Sequence, residues 1–323
     1  MIYSRYGSPD VLHLQDVEKP TPKDDEVLIK VQAASVNALD WHMLTADIFL
    51  VRLMGSGPFK PKNSILGADI AGKVEAVGKN VSQFRPGDEV FGDIGHGGFA
   101  EYALAPERDL ALKPASLSFE AAAAVPVAAL TALQGLRDRG NIQAGQKVLI
   151  NGAAGGVGTF AVQIAKAYGA EVTAVCSTRN LEQARKLGAD QVIDYTQENF
   201  TQSGRQYDLI FAANGYHPLS VYKRALTPKG IYVMAGGKPA QIFQAMLLGG
   251  RMSEKDGRKL SGVSAHSDQK DLLTLKEMLE TGKIIPTIDR RYSLSEVPEA
   301  LRYLGAGHAR GKLVINVASN PQA

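Results

Sequence analysis

The tightest constraint on this chain lies at residues 147–168. Val148, Leu149 and Ile150 form the apolar centre of a strand over 147–151. The strand runs into Asn151-Gly-Ala-Ala-Gly-Gly-Val-Gly158. A helix over 155–168 follows, with Val157, Phe160, Ala161, Ile164, Ala165 and Tyr168 at helical spacing. Gly169 then supplies a left-handed cap. A pyrophosphate on a helix N-terminus needs backbone N–H groups aimed at it and no Cβ in the way. Gly155 and Gly158 take the second and third positions of G-x-G-x-x-G, and Ala153 replaces the first. A turn of this kind also serves close packing, so its setting decides the reading.

That setting is a repeating strand–helix pattern. Strands are predicted over 171–176, 191–194, 207–212, 230–234 and 259–263, with helices over 181–187, 219–226 and 270–280. Strands spaced by helices indicate a doubly wound parallel sheet. The N-terminal part differs. Val27, Ile29, Val31 and Ala33 alternate with Lys30 and Gln32, and Ile70, Val74 and Ala76 with Lys73 and Glu75. These are half-buried strands separated by Gly and Pro turns. The tail predicts strands over 287–292 and 312–317 around a helix over 297–304. The expected architecture is α/β: a Rossmann domain over 119–282 inserted into a β domain of 1–118 plus 283–323.

Composition narrows the function classes. With 45% hydrophobic and 21% charged residues, the chain is neither disordered nor fibrous. The net charge is only +3, and the densest basic stretch, 251–259, has acids among its bases. No nucleic-acid partner is expected. The longest apolar run, 121–133, is broken by Pro126 and is shorter than the ~18 residues of a membrane span. The N-terminus has no apolar signal-peptide core, so a soluble cytoplasmic protein is expected. The single cysteine, Cys176, excludes an internal disulfide and a zinc site with two thiolates. It reads as a small buried residue. The six histidines show no metal-ligand spacing.

The end of the second Rossmann strand should choose the cofactor. NAD needs an acid there for the ribose 2′-OH. The stretch Val175-Cys-Ser-Thr-Arg-Asn180 has none. Ser177 and Arg179 offer donors and a positive charge, which suit the 2′-phosphate of NADPH. The alternative is that Arg179 merely starts a solvated helix.

Ordered segments along nearly the whole chain resemble the medium-chain dehydrogenase/reductase superfamily, in its zinc-independent quinone oxidoreductase branch. They include Tyr6-Gly-Ser-Pro-Asp-Val-Leu12, Ser35-Val-Asn-Ala-Leu-Asp-Trp41, Leu66-Gly-Ala-Asp-Ile-Ala-Gly72, Arg85-Pro-Gly-Asp-Glu-Val-Phe-Gly92, Gly98-Phe-Ala-Glu-Tyr102 and Lys186-Leu-Gly-Ala-Asp190. The resemblance implies a GroES-like β-barrel domain joined to the Rossmann domain, with the active site between them. It implies NADPH, a homodimer, and hydride transfer to quinones or α,β-unsaturated carbonyls. By position, Gly155, Gly156 and Val157 would line the pyrophosphate, and Ser177 and Arg179 would meet the 2′-phosphate. Ala235, Gly236 and Gly237 would pass the nicotinamide. Tyr195 is either the family's tyrosine beside the adenosine or an ordinary strand-end aromatic. Gly311 and Lys312 belong to a segment reaching back to the cofactor, or Lys312 is simply solvated. The family's zinc-ligand positions read Asn37 and Ala68-Asp69 here, so no metal is expected.

Asn37, Asp40, Trp41 and Thr131 are the candidate catalytic residues. Asn37 would donate to the carboxamide or to the substrate oxygen, stabilising a developing oxyanion. Asp40 would hold a ribose hydroxyl or orient a neighbour. Trp41 and Phe49 form either an apolar lid or core packing. His42, a water or a cofactor hydroxyl would supply the proton. Two rival readings stand beside this one: a carbonyl-reducing NADP-dependent alcohol dehydrogenase, and a low-turnover NADPH-binding redox sensor.

Overall fold

The computed structural model describes residues 1–47, 57–237 and 257–318. Its strands are β1 Glu26–Val36, β2 Asp69–Val77, β3 Glu89–Asp93, β4 Tyr102–Pro106, β5 Leu110–Leu112, β6 Lys147–Asn151, β7 Glu171–Cys176, β8 Gln191–Asp194, β9 Tyr207–Ala212, β10 Leu226–Met234, β11 Lys259–Gly262, β12 Ile288–Ser293 and β13 Lys312–Asn316. Contacts divide the chain into two compact units. One holds Met1–Val127, Ser267–Glu280 and Pro286–Ala323; the other holds Ala128–His266 and Thr281–Ile285.

The first unit is built on a mixed sheet in the order β12-β13-β1-β2-β3-β5, with β4 also paired to β1. β1 is antiparallel to β2, β4 and β13. Serving three partners explains why it runs to Val36, past the end of its alternating pattern, and why Ala33 to Val36 are all buried. Bulges between Leu28 and Ile29 and between Val31 and Ala33 bend it between partners. Val27, Ile29 and Val31 meet Ile70, Val74, Leu313, Ile315 and Leu301 in one core. Truncating such a side chain to alanine costs about 2–5 kcal/mol.

The expected domain boundaries fell at 118/119 and 282/283. Contacts instead divide the chain at Val127, and helix Gln269–Glu280 belongs with the β unit. Gln269 explains the second difference: its side-chain amide donates to the backbone oxygen of Leu110 on β5 at 3.0 Å.

The second unit carries a wholly parallel sheet in the order β11-β10-β9-β6-β7-β8. Counted from β6, this is the doubly wound order 3-2-1-4-5-6, read from the far edge. The chain order reverses between β6 and β9. The strand tips at that crevice are where such sheets bind dinucleotides. Helix Gly156–Ala167 leaves β6 at this point and buries Phe160, Ala161, Ile164 and Ala165 as its spacing predicts. Gln163 is buried too, because its side chain exchanges hydrogen bonds with the backbone of Ile285. The apolar run 121–133 is divided between helices Phe119–Ala123 and Pro126–Gln134. No helix among the described residues is long and apolar enough to cross a membrane.

Candidate active site

The glycine turn of the second unit is shaped from two sides. Gly152 has φ +83°, a conformation that favours glycine. Its N–H and that of Ala153 both donate to the Val175 carbonyl, which ties the turn to the tip of β7. A Cβ on Gly158 would lie 2.1 Å from the Gly152 carbonyl oxygen, so this glycine serves backbone packing. Gly155 is different: a Cβ there would meet only the Gly152 oxygen, at 3.7 Å. Gly156, Val157 and Gly158 open the helix, where amides lack intrahelical acceptors. Amides without intrahelical acceptors, room for a group at Gly155 and a positive helix end fit a pyrophosphate.

The neighbouring strand ends fit the rest of a dinucleotide. Ser177, half-buried, caps the turn Thr178–Asn180, and Arg179 is exposed on that turn. Thr178 donates to Asp194 at 2.5 Å, which engages that carboxylate. Tyr195 is 50% exposed and meets the Tyr216 ring edge-on, centroids 6.0 Å apart. Tyr216 was not singled out from sequence, because nothing in its loop marks it as a neighbour of Tyr195. Beyond β9 and β10, Gly215 donates to the Gly236 carbonyl, and a bridge joins Gly215 to Gly237. A Cβ on Gly236 would lie 2.6 Å from the Ala213 oxygen, so glycine lets this half-buried strip, Ala235–Gly237, pack closely on the Ala213 backbone.

The first unit holds a buried polar network. Asp69 opens β2 and is fully buried. Its Oδ2 accepts from Ser35 Oγ at 2.7 Å, Asn37 Nδ2 at 2.8 Å and Lys312 Nζ at 3.0 Å. Its Oδ1 accepts from the Val127 N–H at 2.8 Å. Lys312 opens β13, is 2% exposed, and also donates to Asn37 Oδ1 at 2.5 Å. The ammonium therefore sits between Asn37 and Asp69, two positions where the sequence reading placed the ligands of zinc-dependent relatives. The solvated alternative for Lys312 does not hold, because its side chain is enclosed and paired. Gly311 has φ +139°, and a Cβ on it would lie 2.4 Å from the Thr287 oxygen. Glycine there lets β13 begin close against the segment before β12, with Lys312 N donating to that same oxygen.

Asp40 is committed to backbone. Its Oδ2 accepts from Asn37 N at 2.8 Å and its Oδ1 from Gly67 N at 2.9 Å. It closes a capping box on helix Ala38–Thr45 and pins the loop before β2. This is the orienting role, with each oxygen engaged by a backbone N–H. Burial pushes its carboxyl up to about 7, against those two hydrogen bonds. Asp93, opposite Asp69 across the β2–β3 pair, is also raised to about 7, by burial first and by the Asp69 charge second.

Trp41 is placed for packing rather than as a lid. A Cβ on Gly305 would lie 2.4 Å from its ring, so the indole rests on helix Val297–Gly305 at the core's edge. Thr131 is buried on helix Pro126–Gln134 and belongs to the second unit. His42 places Nδ1 2.8 Å from Asp47 Oδ1. Phe49 lies outside the described residues. Cys176 is buried, and burial pushes its thiol up to about 11, so it is a poor nucleophile. Among the described residues no three His, Cys, Asp or Glu side chains are grouped to hold a metal ion.

Residues 23–115 match the family described as alcohol dehydrogenase GroES-like domain, and residues 187–315 the family described as zinc-binding dehydrogenase. The chain is 37% identical to the 2-methylene-furan-3-one reductase of Solanum lycopersicum, over 97% of this chain and 78% of that one. It is 36% identical to the chloroplastic NADPH-dependent alkenal/one oxidoreductase of Arabidopsis thaliana, again over 97% and 78%. The solved quinone oxidoreductase from Coxiella burnetii superposes with a TM-score of 0.84 at 31% identity, covering 98% of both chains. A Rossmann unit, a GroES-like unit and end-to-end likeness to quinone and enone reductases give one conclusion: the chain belongs to the zinc-independent quinone oxidoreductase branch of the medium-chain dehydrogenase/reductase superfamily.

Proposed function

We propose that this protein is an NADPH-dependent reductase of quinones and α,β-unsaturated carbonyls that works without zinc. The observation carrying the cofactor choice is the tip of β7, where Ser177 and Arg179 stand in place of an acid, together with the room for a group at Gly155. The substrate class rests on the relatives, whose names specify a furanone reductase, an alkenal/one oxidoreductase and a quinone oxidoreductase.

When bound, NADPH supplies a hydride. Gly155, Gly156 and Val157 would hold the pyrophosphate, and Ser177 and Arg179 the 2′-phosphate. Tyr195 would lie beside the adenosine, and Ala235, Gly236 and Gly237 would pass the nicotinamide. In the first unit, Asn37 offers an amide N–H to an oxygen that gains negative charge. Asp40 acts on Asn37 by accepting from its backbone N–H, which closes the capping box of the helix that carries Trp41. Thr131 is assigned to the nicotinamide side by resemblance. A homodimer in the cytoplasm completes the reading; the Arabidopsis relative is named as chloroplastic, so fractionation and sedimentation test these two points.

Product analysis tests the reaction class. An enone incubated with NADPH is expected to give the saturated ketone, with deuterium from labelled NADPH on the β-carbon. The allylic alcohol as sole product would place the enzyme among carbonyl reductases instead.

A further inference from the structure

The network around Asn37 contains more order than holding a side chain in place requires. A primary amide has a donor end and an acceptor end of nearly the same shape, so shape alone does not fix which way it faces. Here two charged groups decide it. Asp69 meets the Nδ2 end at 2.8 Å, and a carboxylate only accepts. Lys312 meets the Oδ1 end at 2.5 Å, and an ammonium only donates. Rotating the amide by half a turn would set N–H against N–H at Lys312 and oxygen against oxygen at Asp69. Both charged groups are buried, 0% and 2% exposed, so water does not soften that mismatch. Ser35 Oγ and Val127 N occupy the remaining positions on the carboxylate and hold it in register.

Asn37 Nδ2 has two hydrogens. One is taken by Asp69. The second has only the Ser35 carbonyl, at 3.5 Å, the outer limit of a hydrogen bond. That long bond is the weakest in the network, so it is the one a better-placed acceptor would replace with least loss.

We infer that Asp69 and Lys312 are positioning residues that lock the orientation of the Asn37 amide, so that its N–H end serves as the donor to the substrate oxygen. The inference rests on the placement of Asn37 at the reaction under the proposed function. It also moves Lys312 from direct cofactor contact to an action through Asn37. The pair links residues 243 apart in sequence, so the donor forms only when β13 is seated beside β1.

The test compares wild type with Asn37→Ala, with the double variant Asp69→Asn/Lys312→Met, and with the triple combination. The double variant removes both charges together, so neither is left buried alone. Thermal unfolding and circular dichroism check that it folds. Calorimetric titration gives the NADPH Kd, and initial rates with one enone give kcat and KM. The double variant is expected to bind NADPH within about threefold of wild type while kcat falls at least about tenfold. Asn37→Ala should fall by a similar factor, and the triple variant should be no worse than Asn37→Ala alone. Such non-additivity is the mark of residues acting through a shared partner. Multiplying losses in the triple variant would overturn the inference, as would a double variant with wild-type kcat or one that loses NADPH affinity alone. If Asn37→Ala itself is fully active, the placement of Asn37 fails first, and the lock with it.

Discussion

Asp93 and Asp40 retain their protons to about pH 7 because burial disfavours the charged carboxylate, with Asp69 adding repulsion at both. In the unfolded chain these carboxyls ionise near their ordinary values. The folded state therefore binds more protons between about pH 4 and pH 7, and the stability contributed by these groups falls as pH rises through that window. Asp93→Asn keeps an acceptor for the Gly95 N–H while removing one of these carboxyls. In urea titrations it is expected to gain stability over wild type at pH 8 and little at pH 4. An equal effect at both pH values would contradict this account. Lys312→Met, by contrast, strands the buried Asp69 charge and is expected to cost about 3–5 kcal/mol. At the cofactor, Arg179→Ala should raise the KM for NADPH about tenfold and leave that for NADH unchanged, measured from initial rates. Equal changes for both cofactors would return Arg179 to a solvated surface role. Arg179 and Ser177 could be picked out because a missing acid is visible in a local stretch. The enclosure of Lys312 could not, because an apolar run opening with lysine reads the same whether the ammonium meets water or Asp69.

Among the elements, β6, β7, β8 and β9 have the bounds their patterns predict, since short apolar runs between helices leave little freedom. β10 departs: it begins at Leu226 rather than 230, because its pairing with β9 skips from Leu226 to Ile231 across a bulge. Local pattern does not record such an irregular pairing. The glycine turn offers a sharper test of element against ligand. Gly158→Ala drives a methyl group into the Gly152 carbonyl, backbone against backbone. It is expected to lower stability by about 1–3 kcal/mol. Gly155→Ala has room within the protein and should change stability by less than about 1 kcal/mol. It should nevertheless weaken NADPH about tenfold or more, because the methyl group stands where the pyrophosphate approaches. Urea midpoints and NADPH titrations of the two variants separate packing from binding. If both effects track together in both variants, Gly155 has no ligand role.

For the whole molecule, the switch point between β6 and β9 and the Asn37 network belong to two different compact units. The sequence placed a Rossmann domain within a β domain because two periodicities change over along the chain. It set the exchange at 118/119, whereas contacts set it at Val127, because Phe119–Ala123 is a helix that packs on β1 and β2. A helical pattern alone does not tell which sheet a helix will cover. The central claim is metal-free hydride transfer from NADPH to electron-poor alkenes and quinones. Its most direct measurement is the rate of NADPH oxidation across a panel of quinones, enones and simple aldehydes, with and without a strong chelator. The account predicts turnover with quinones or enones, little with aldehydes, a clear preference over NADH, and no effect of the chelator. Oxidation confined to aldehydes and abolished by the chelator would contradict it.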